Sequence, residues 1–433
     1  MVEGRDVFLE AARALLTSNA FGWTYQELDP DVFGEELEQP GYEHVERIAA
    51  VALTVTRLSL SLMDRAQRFG IEEEYFITDL STRRMLAEPS AHVLAACREA
   101  IGKGFYYEMF QGQIEVASPV FDSSAEAATY LGRVRRELSQ ALAGHRLGFI
   151  CSGAHPLADW QAQRATPQVH FQRLFDEFQI VAQRSVLSGL HVHAEISVGV
   201  DRIAVLNEVL PLLPMLLALS VSSPLWQGRP SGYCSYRQVL CDEWPRMGIP
   251  EYLSDEPGFE RYLSVLRRSG ALASDANIWW GCRPSLSYPT LELRMTDACP
   301  RLSDALALAG LFRVMIKHAC QMPAPGSHYS VEHHWLLKEN RIQARRWGCA
   351  GRFVPAPNTE PVSLEEWLVL AQQQFGETAR ALDEEGVFAQ AWQMLRNGTS
   401  AERQLRAFSA QASSALVSRQ AVADLLLEES RDA

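Results

Sequence analysis

The chain has 433 residues, with 53 acidic against 40 basic side chains and a formal net charge of −13. A hydrophobic fraction of 47% beside 21% charged residues excludes wholesale disorder and supplies apolar surface for a sizeable core. The acidic balance argues against nucleic acid gripped by bulk charge, which takes clustered Lys and Arg, but is compatible with a nucleotide held through a metal.

The first residues, Met1 to Asp6, lack the basic-then-apolar layout of a secretory signal, so a cytoplasmic protein is expected. Apolar faces near Val7–Leu16 and Val45–Met63 flank a turn-rich acidic link, which predicts a helical extension over residues 1–67 ahead of one large catalytic unit over 68–433. From Phe69 the period changes to two. A strand over Gly70–Asp79 places Glu72 and Glu74 on one face and Ile71, Glu73 and Tyr75 on the other. A second strand is predicted over Tyr107–Val116, where Glu108 and Glu115 differ by an odd step; a bulge near Gly112 would bring them to one face. A helix over Ser124–Ala143 follows.

The third strand, Gly189–Ile196, groups His191, His193 and Glu195 by the same alternation. Beyond it come a helix over Arg202–Leu219 and a Gly/Pro/Ser-rich loop over Ser222–Tyr236. The apolar stretch Val209–Trp226 is interrupted by Pro211, Pro214 and Pro224, so a buried helix is expected in place of a membrane span. The fourth strand, Thr290–Met295, sets Glu292 and Arg294 opposite Leu291, Leu293 and Met295. Helices dominate afterwards, over Asp304–Met315, Leu364–Leu382 and Ala401–Glu428. The eight cysteines form no CxxC pair and fit free thiols in a reducing compartment. Isolated acidic strands among helices fit an α+β enzyme better than a doubly wound sheet, and neither a GxGxxG nor a GxxxxGK[ST] loop is present.

Taken together, Glu72, Glu74, Glu108, Glu115, Glu292, His191 and His193 form a set of hard oxygen ligands with occasional imidazole, which suits Mg²⁺ or Mn²⁺. Arg237, Arg283, Arg294, Arg341 and Arg345 are candidates for holding phosphate or carboxylate. Each feature has a plainer reading. The Glu72–Glu74 run can be a solvated charge cluster, the HxH a structural pair, Glu292 and Arg294 an edge-strand ion pair, and Trp279–Trp280 core. Residue patterns alone lead as far as a metal-dependent enzyme acting on a nucleotide.

The motifs Phe69-Gly70-Ile71-Glu72-Glu73-Glu74-Tyr75, Gly189-Leu190-His191-Val192-His193, Ser220-Val221-Ser222-Ser223-Pro224-Leu225-Trp226-Gln227-Gly228 and Thr290-Leu291-Glu292-Leu293-Arg294 resemble the type 2 glutamate-cysteine ligase family, in its YbdK-like carboxylate-amine ligase branch. Gly153-Ala154-His155-Pro156-Leu157-Ala158-Asp159-Trp160, Gly232-Tyr233-Cys234-Ser235-Tyr236-Arg237 and Glu339-Asn340-Arg341 continue the resemblance in order. It implies a curved, largely antiparallel sheet backed by helices, similar to the catalytic domain of glutamine synthetase. It also implies ATP-dependent amide formation through an acyl phosphate, with weak γ-glutamylcysteine synthesis.

Carried over by motif, Glu72, Glu74, Glu108, Glu115, His191 and Glu292 look like the metal shell, and Glu74, Glu115, Arg294 and Arg341 like the ATP contacts. Arg237 and Arg294 resemble contacts to substrate carboxylate or phosphate, and His193, with Glu195, is an option for the base. The implied partners are a glutamate-like carboxylate and an amine, without nucleic acid or membrane. The apolar faces at 45–63 and 416–427 could pair subunits. The chain departs from the family pattern at Gly281, where Asp is expected, at Ser222 for Asn, at Ile342 for Trp and at Glu195 for a small residue. Two alternatives remain at this level: an HxH metal-dependent hydrolase, and a non-catalytic nucleotide-binding relative.

Overall fold

The computed structural model describes residues 67–272, 274, 277–410 and 415–431. Apart from Gln67, the extension expected over 1–67 lies outside them. The centre of the molecule is strand β1 (Phe69–Asp79), whose length lets it pair on both sides. Its neighbours are β2 (Phe105–Tyr107), β3 (Gln113–Ala117), β4 (Leu147–Ile150), β5 (Leu190–Glu195), β6 (Cys282–Pro284) and β7 (Thr290–Leu293). They form a seven-stranded sheet in the order β6-β7-β5-β1-β3-β2, with β4 paired to the far half of β1. Every pairing in it is antiparallel. The α+β architecture with a largely antiparallel sheet is therefore the one the sequence predicts.

One face of the sheet is apolar. Ile71, Tyr75, Ile114, Val116, Val192, Ala194, Leu291 and Leu293 are all buried there, against helices α1 (Ala91–Ile101) and α2 (Ser124–Ala143) and later helices of the chain. Helix α2 occupies the residues predicted for it. Ser123 caps it by accepting the Glu126 N–H at 3.3 Å, and its buried stripe of Ala127, Leu131, Val134, Arg135, Leu138 and Leu142 has the three-to-four spacing of a core-facing helix.

The 202–219 helix is instead two helices, α3 (Arg202–Val209) and α4 (Leu213–Ser220), joined by a 3₁₀ turn at Leu210–Leu212. Pro211 lacks the N–H that a continuous helix needs. This segment is apolar enough to span a membrane by composition, but 83% of its apolar window is buried inside the fold. Helix α5 (Leu302–Gln321) extends well past the predicted 304–315 because its flanks are also buried. The 401–428 prediction resolves into two helices, Ser400–Ala410 and Ala415–Arg431.

Glu73 points into the apolar layer, where Arg135 meets it. Arg135 Nη2 and Nε donate to the two carboxylate oxygens at 2.5 and 3.1 Å, and Tyr75 Oη donates to Glu73 Oε2 at 2.5 Å. The remaining guanidinium donors reach the carbonyls of Pro300 at 2.5 Å and Cys299 at 3.0 Å. The pair is thus hydrogen-bonded through all three guanidinium nitrogens and both carboxylate oxygens, and 0–1% exposed. Removing one member strands the other charge in the core, so Glu73→Gln and Arg135→Met should each cost roughly 3–5 kcal/mol, read as a lowered urea midpoint; joint replacement by Leu and Met should cost much less.

Candidate functional site

The register of the sheet assembles the site on its other face. Residues directly opposed in antiparallel strands share a face. Glu72 is opposite His191, Glu74 opposite Glu115, and Glu292 opposite both His193 and Arg283. Pairing alone therefore lines Arg283, Glu292, His193, His191, Glu72, Glu74 and Glu115 across five adjacent strands. The same face turns apolar at Phe76, which packs in a cluster with Phe110, Ile150, Leu225 and Leu426. The polar patch is closed at that end.

Glu108 joins by a route different from the predicted one. No single strand runs from Tyr107 to Val116. The segment folds into a hairpin in which Tyr106 lies opposite Glu115 and Tyr107 opposite Ile114, and Glu108 directly follows β2. Gly112 serves the turn, where a Cβ would run into the Leu86 carbonyl oxygen. A hairpin reversal, not a bulge, cancels the odd step.

Two groups of three result. Glu72, His191 and Glu292 offer ligand atoms within 4.8 Å of one another, as do Glu74, Glu108 and Glu115. His191 Nδ1 lies 3.2 Å from Glu72 Oε2. Against an ionised carboxylate Nδ1 must carry the proton, which leaves a lone pair on Nε2. That Nε2 is buried with no hydrogen-bond partner, 3.7 Å from Glu74 Oε1. An orphaned imidazole nitrogen between two carboxylate groups fits a divalent cation, with Glu72 orienting the ring from behind.

Burial and mutual repulsion push the carboxylates apart in acidity. Burial, reinforced by the charge of Glu108, raises Glu74 to about 8. Glu115 is also raised well above the ordinary range by burial and by Glu108, Glu72 and Glu74. Burial acts on Glu72 and Glu292 as well but is outweighed. Hydrogen bonds from His191 and His193 hold Glu72 below its usual value, and Arg294 with Arg283 brings Glu292 down to about 2. His191 is lowered to about 4, by burial first and the Arg294 charge second, so it is neutral at pH 7.

The arginines divide. Arg283 Nε bonds Glu292 at 2.8 Å, and Arg294 Nη1 pairs with the same carboxylate. Arg237 sits over Gly189, where a Cβ would come within 2.5 Å of Arg237 Nη2 and 2.6 Å of His191 Nε2. Gly189 is thus the floor on which a guanidinium and the orphaned imidazole nitrogen meet. Arg341 is elsewhere. On the helix Val331–Trp347, it donates to Gln238 Oε1 at 2.8 Å and Asp242 Oδ1 at 2.6 Å, so the structure does not gather it with the acids. Arg345 shares that Asp242.

Glu195 likewise leaves the expected polar cavity. It takes a two-point hydrogen bond from Arg68, at 2.6 and 3.0 Å, at the solvent edge of β5. His193 remains, with Nε2 3.5 Å from Glu72 and Nδ1 3.0 Å from Thr290 Oγ1. Sequence reasoning missed Gly189 and Asp297; the Gly before the histidine strand and the Asp three residues past Arg294 were the available signals.

Residues 68–424 match the model of glutamate-cysteine ligase family 2. A protein of Pseudomonas fluorescens named "Putative glutamate--cysteine ligase 2" is 64% identical over 368 residues, covering 84% of this chain and 95% of its own. Among solved structures, a bifunctional glutathione synthetase from Pasteurella multocida superposes with a TM-score of 0.62 at 14% identity, over 87% of this chain and 54% of that one. A glutamate-cysteine ligase from Francisella tularensis, solved with AMP, gives 0.61 at 11% identity over 84% and 93%. At such identities the likeness is one of fold.

The acidities fix a pH dependence. A carboxyl raised to about 8 binds its proton more tightly folded than unfolded, so the metal-free protein should lose stability as pH rises from about 4.5 to 8. Glu292, lowered to about 2, acts oppositely and only below about 4.5. Buried His155 and His191, lowered to about 3 and 4, act in the opposite sense below about 6.5, so thermal melts in chelator across pH 6.5–8 should show the falling midpoint, and Glu74→Gln should flatten that slope.

Proposed function

The chain belongs to glutamate-cysteine ligase family 2 and is an ATP-dependent carboxylate-amine ligase; we propose that it joins a glutamate-like carboxylate to a small amine through an acyl phosphate, with glutamate and cysteine as one pair it accepts. On this reading residues 68–433 are the catalytic domain and act in the cytoplasm. The single observation that carries the site assignment is His191 Nε2, buried and unpartnered in one group of three and 3.7 Å from Glu74 of the other.

The residues that would hold Mg²⁺ or Mn²⁺ are Glu72, His191 and Glu292 in one group, with Glu74, Glu108 and Glu115 in the other. Bound there, a divalent ion supplies charge neutralisation for phosphate oxygens. What the chain itself does can be derived from its own groups. A substrate carboxylate attacking the terminal phosphate of ATP must approach a polyanion across a face that already carries five glutamates, so Coulomb repulsion is the obstacle.

Arg283 and Arg294 answer one part of it by neutralising Glu292, and Arg237 presents a guanidinium beside His191 for an anionic oxygen. ADP leaves as the acyl phosphate forms, and the amine then displaces inorganic phosphate. His193 is the group we assign to the amine's proton: its ring lies on the same face, within 4 Å of both Glu72 and Glu292, and is partly open to solvent. The hydrolase alternative has less behind it. Among the described residues both candidate metal groups are glutamate-rich and hold at most one histidine, which suits hard cations better than zinc.

The test is ADP release by purified protein with Mg²⁺, ATP, glutamate and a panel of amines. Turnover dependent on both carboxylate and amine is expected, abolished by chelator and restored by Mg²⁺ or Mn²⁺. Glu72→Gln and Glu292→Gln should lower kcat/KM by about 10²–10³-fold with circular dichroism unchanged. ADP release that ignores both substrates, or full activity in both variants, would overturn the reading.

A further inference from the structure

Arg237 is hydrogen-bonded at both its backbone N–H and its guanidinium. The cause lies outside the acid face, in a carboxylate that no part of the reaction scheme uses. Asp297 follows β7, fully buried, and its backbone bridges that of Gly189, the glycine on which Arg237 and His191 meet. Its Oδ2 accepts the Ser223 hydroxyl at 2.7 Å and the Ser222 N–H at 3.0 Å, and its Oδ1 accepts the Ser235 hydroxyl at 2.7 Å. Each of those two hydroxyls then accepts from a backbone amide of the short helix Arg237–Cys241: Ser223 Oγ takes the Arg237 N–H at 3.1 Å, and Ser235 Oγ takes the Gln238 N–H at 3.3 Å. One carboxylate thus grips two successive amides through two serine relays.

The same carboxylate also touches the side chain it positions. Asp297 Oδ1 is 4.0 Å from Arg237 Nη1, which donates to the carbonyls of Thr296 at 3.1 Å and Arg294 at 3.3 Å. Those carbonyls belong to the residues leading into Asp297, so the guanidinium is docked on the segment between β7 and the carboxylate that anchors it. No slack remains behind it, because a Cβ on Gly153 would come 2.5 Å from Asp297 Cγ. A buried acid that satisfied only local loop geometry would not need two relays ending on consecutive amides of one arginine-bearing turn.

We propose that Asp297 is the positioning residue for Arg237: through Ser223 and Ser235 it fixes the backbone, and through the Thr296 and Arg294 carbonyls the guanidinium, so that Arg237 meets the anionic substrate group in one geometry. The inference rests on the ligase reading in giving Arg237 that substrate contact. A displaced guanidinium weakens carboxylate binding more than it slows phosphoryl transfer on the metal side, so the loss falls on one kinetic constant.

The experiment compares Asp297→Asn, Ser223→Ala and Ser235→Ala in the full chain. Asp297→Asn should raise KM for the carboxylate substrate about tenfold or more, with KM for ATP and kcat within about threefold, and each serine variant should give a smaller shift of the same kind. In an Arg237→Ala background, Asp297→Asn should add less than about twofold, because it acts through that side chain. Effects that multiply in the double variant, or that fall equally on kcat and on both KM values, would overturn the proposal.

Hydrogen exchange supplies a readout independent of turnover. The Arg237 and Gln238 amides should exchange at least about tenfold faster in Asp297→Asn, while amides in the core of α5 keep their protection. Unchanged exchange at both amides overturns the positioning role even where the wild type shows no ligase activity, an outcome that would count against the catalytic reading alone.

Discussion

The constraint on which the structure depends is a like-charge pair in the middle of a sheet, Glu74 directly opposite Glu115, with Glu108 beside them. Opposed like charges destabilise a strand pair, and burial multiplies the penalty. A sequence that keeps such a pair on its central strand must recover the cost from elsewhere. Part of the answer is protonation, since burial and mutual repulsion raise both carboxyls well above the usual carboxylate range. On the reading proposed above, the larger part is positive charge, from cations at the two candidate groups and from Arg237 above Gly189.

The opposite face of the same strand shows what a buried acid looks like when the fold itself satisfies it. Glu73 lies between Glu72 and Glu74 in sequence and is the more deeply buried of the three, yet Arg135 and Tyr75 saturate it. Three consecutive glutamates therefore perform two jobs, separated only by the period-two alternation of the strand. Register is what keeps them separate. A slip by one residue would place Glu73 among the metal candidates and drive Glu72 and Glu74 into the hydrophobic layer. The long apolar flank of β1, with Tyr75 and Ile77 fully buried, fixes that register.

Much of this was legible in the sequence. Alternation in β1, β5 and β7 reveals which side chains share a face, because period two is a local property, and the helix over 124–143 shows its apolar stripe equally well. The hairpin between Glu108 and Glu115 was not legible, since a strand with a bulge and a pair of short strands have nearly the same composition. Arg341 and Glu195 stand apart from the acids for a related reason. Residue type marks a side chain as able to hold an anion or extend a polar face, but only the tertiary neighbours Gln238, Asp242 and Arg68 reveal that the capacity is already committed.

The departures from the family pattern acquire a physical meaning on the same terms. Ser222, where Asn is usual, uses all its polar groups: its hydroxyl accepts the Gly153 N–H and donates to the Ala298 carbonyl, both at 2.7 Å, while its N–H goes to Asp297. Ile342, in the place of Trp, lies 41% exposed on the outer side of its helix. Gly281 is the consequential one. A Cβ there would come within 2.8 Å of Met295 Cε and 3.1 Å of the Gly248 carbonyl oxygen. The Gly281 carbonyl accepts both the Arg294 and Met295 N–H groups at 2.8 Å, as at a bulge. An aspartate there would have to displace the Met295 side chain and crowd the Gly248 carbonyl, so the missing acid and the buried methionine go together. Gly281 contacts Arg294 and lies outside both candidate cation groups, so on the proposed reading the divergence of this chain falls on substrate recognition and not on the cation-binding face.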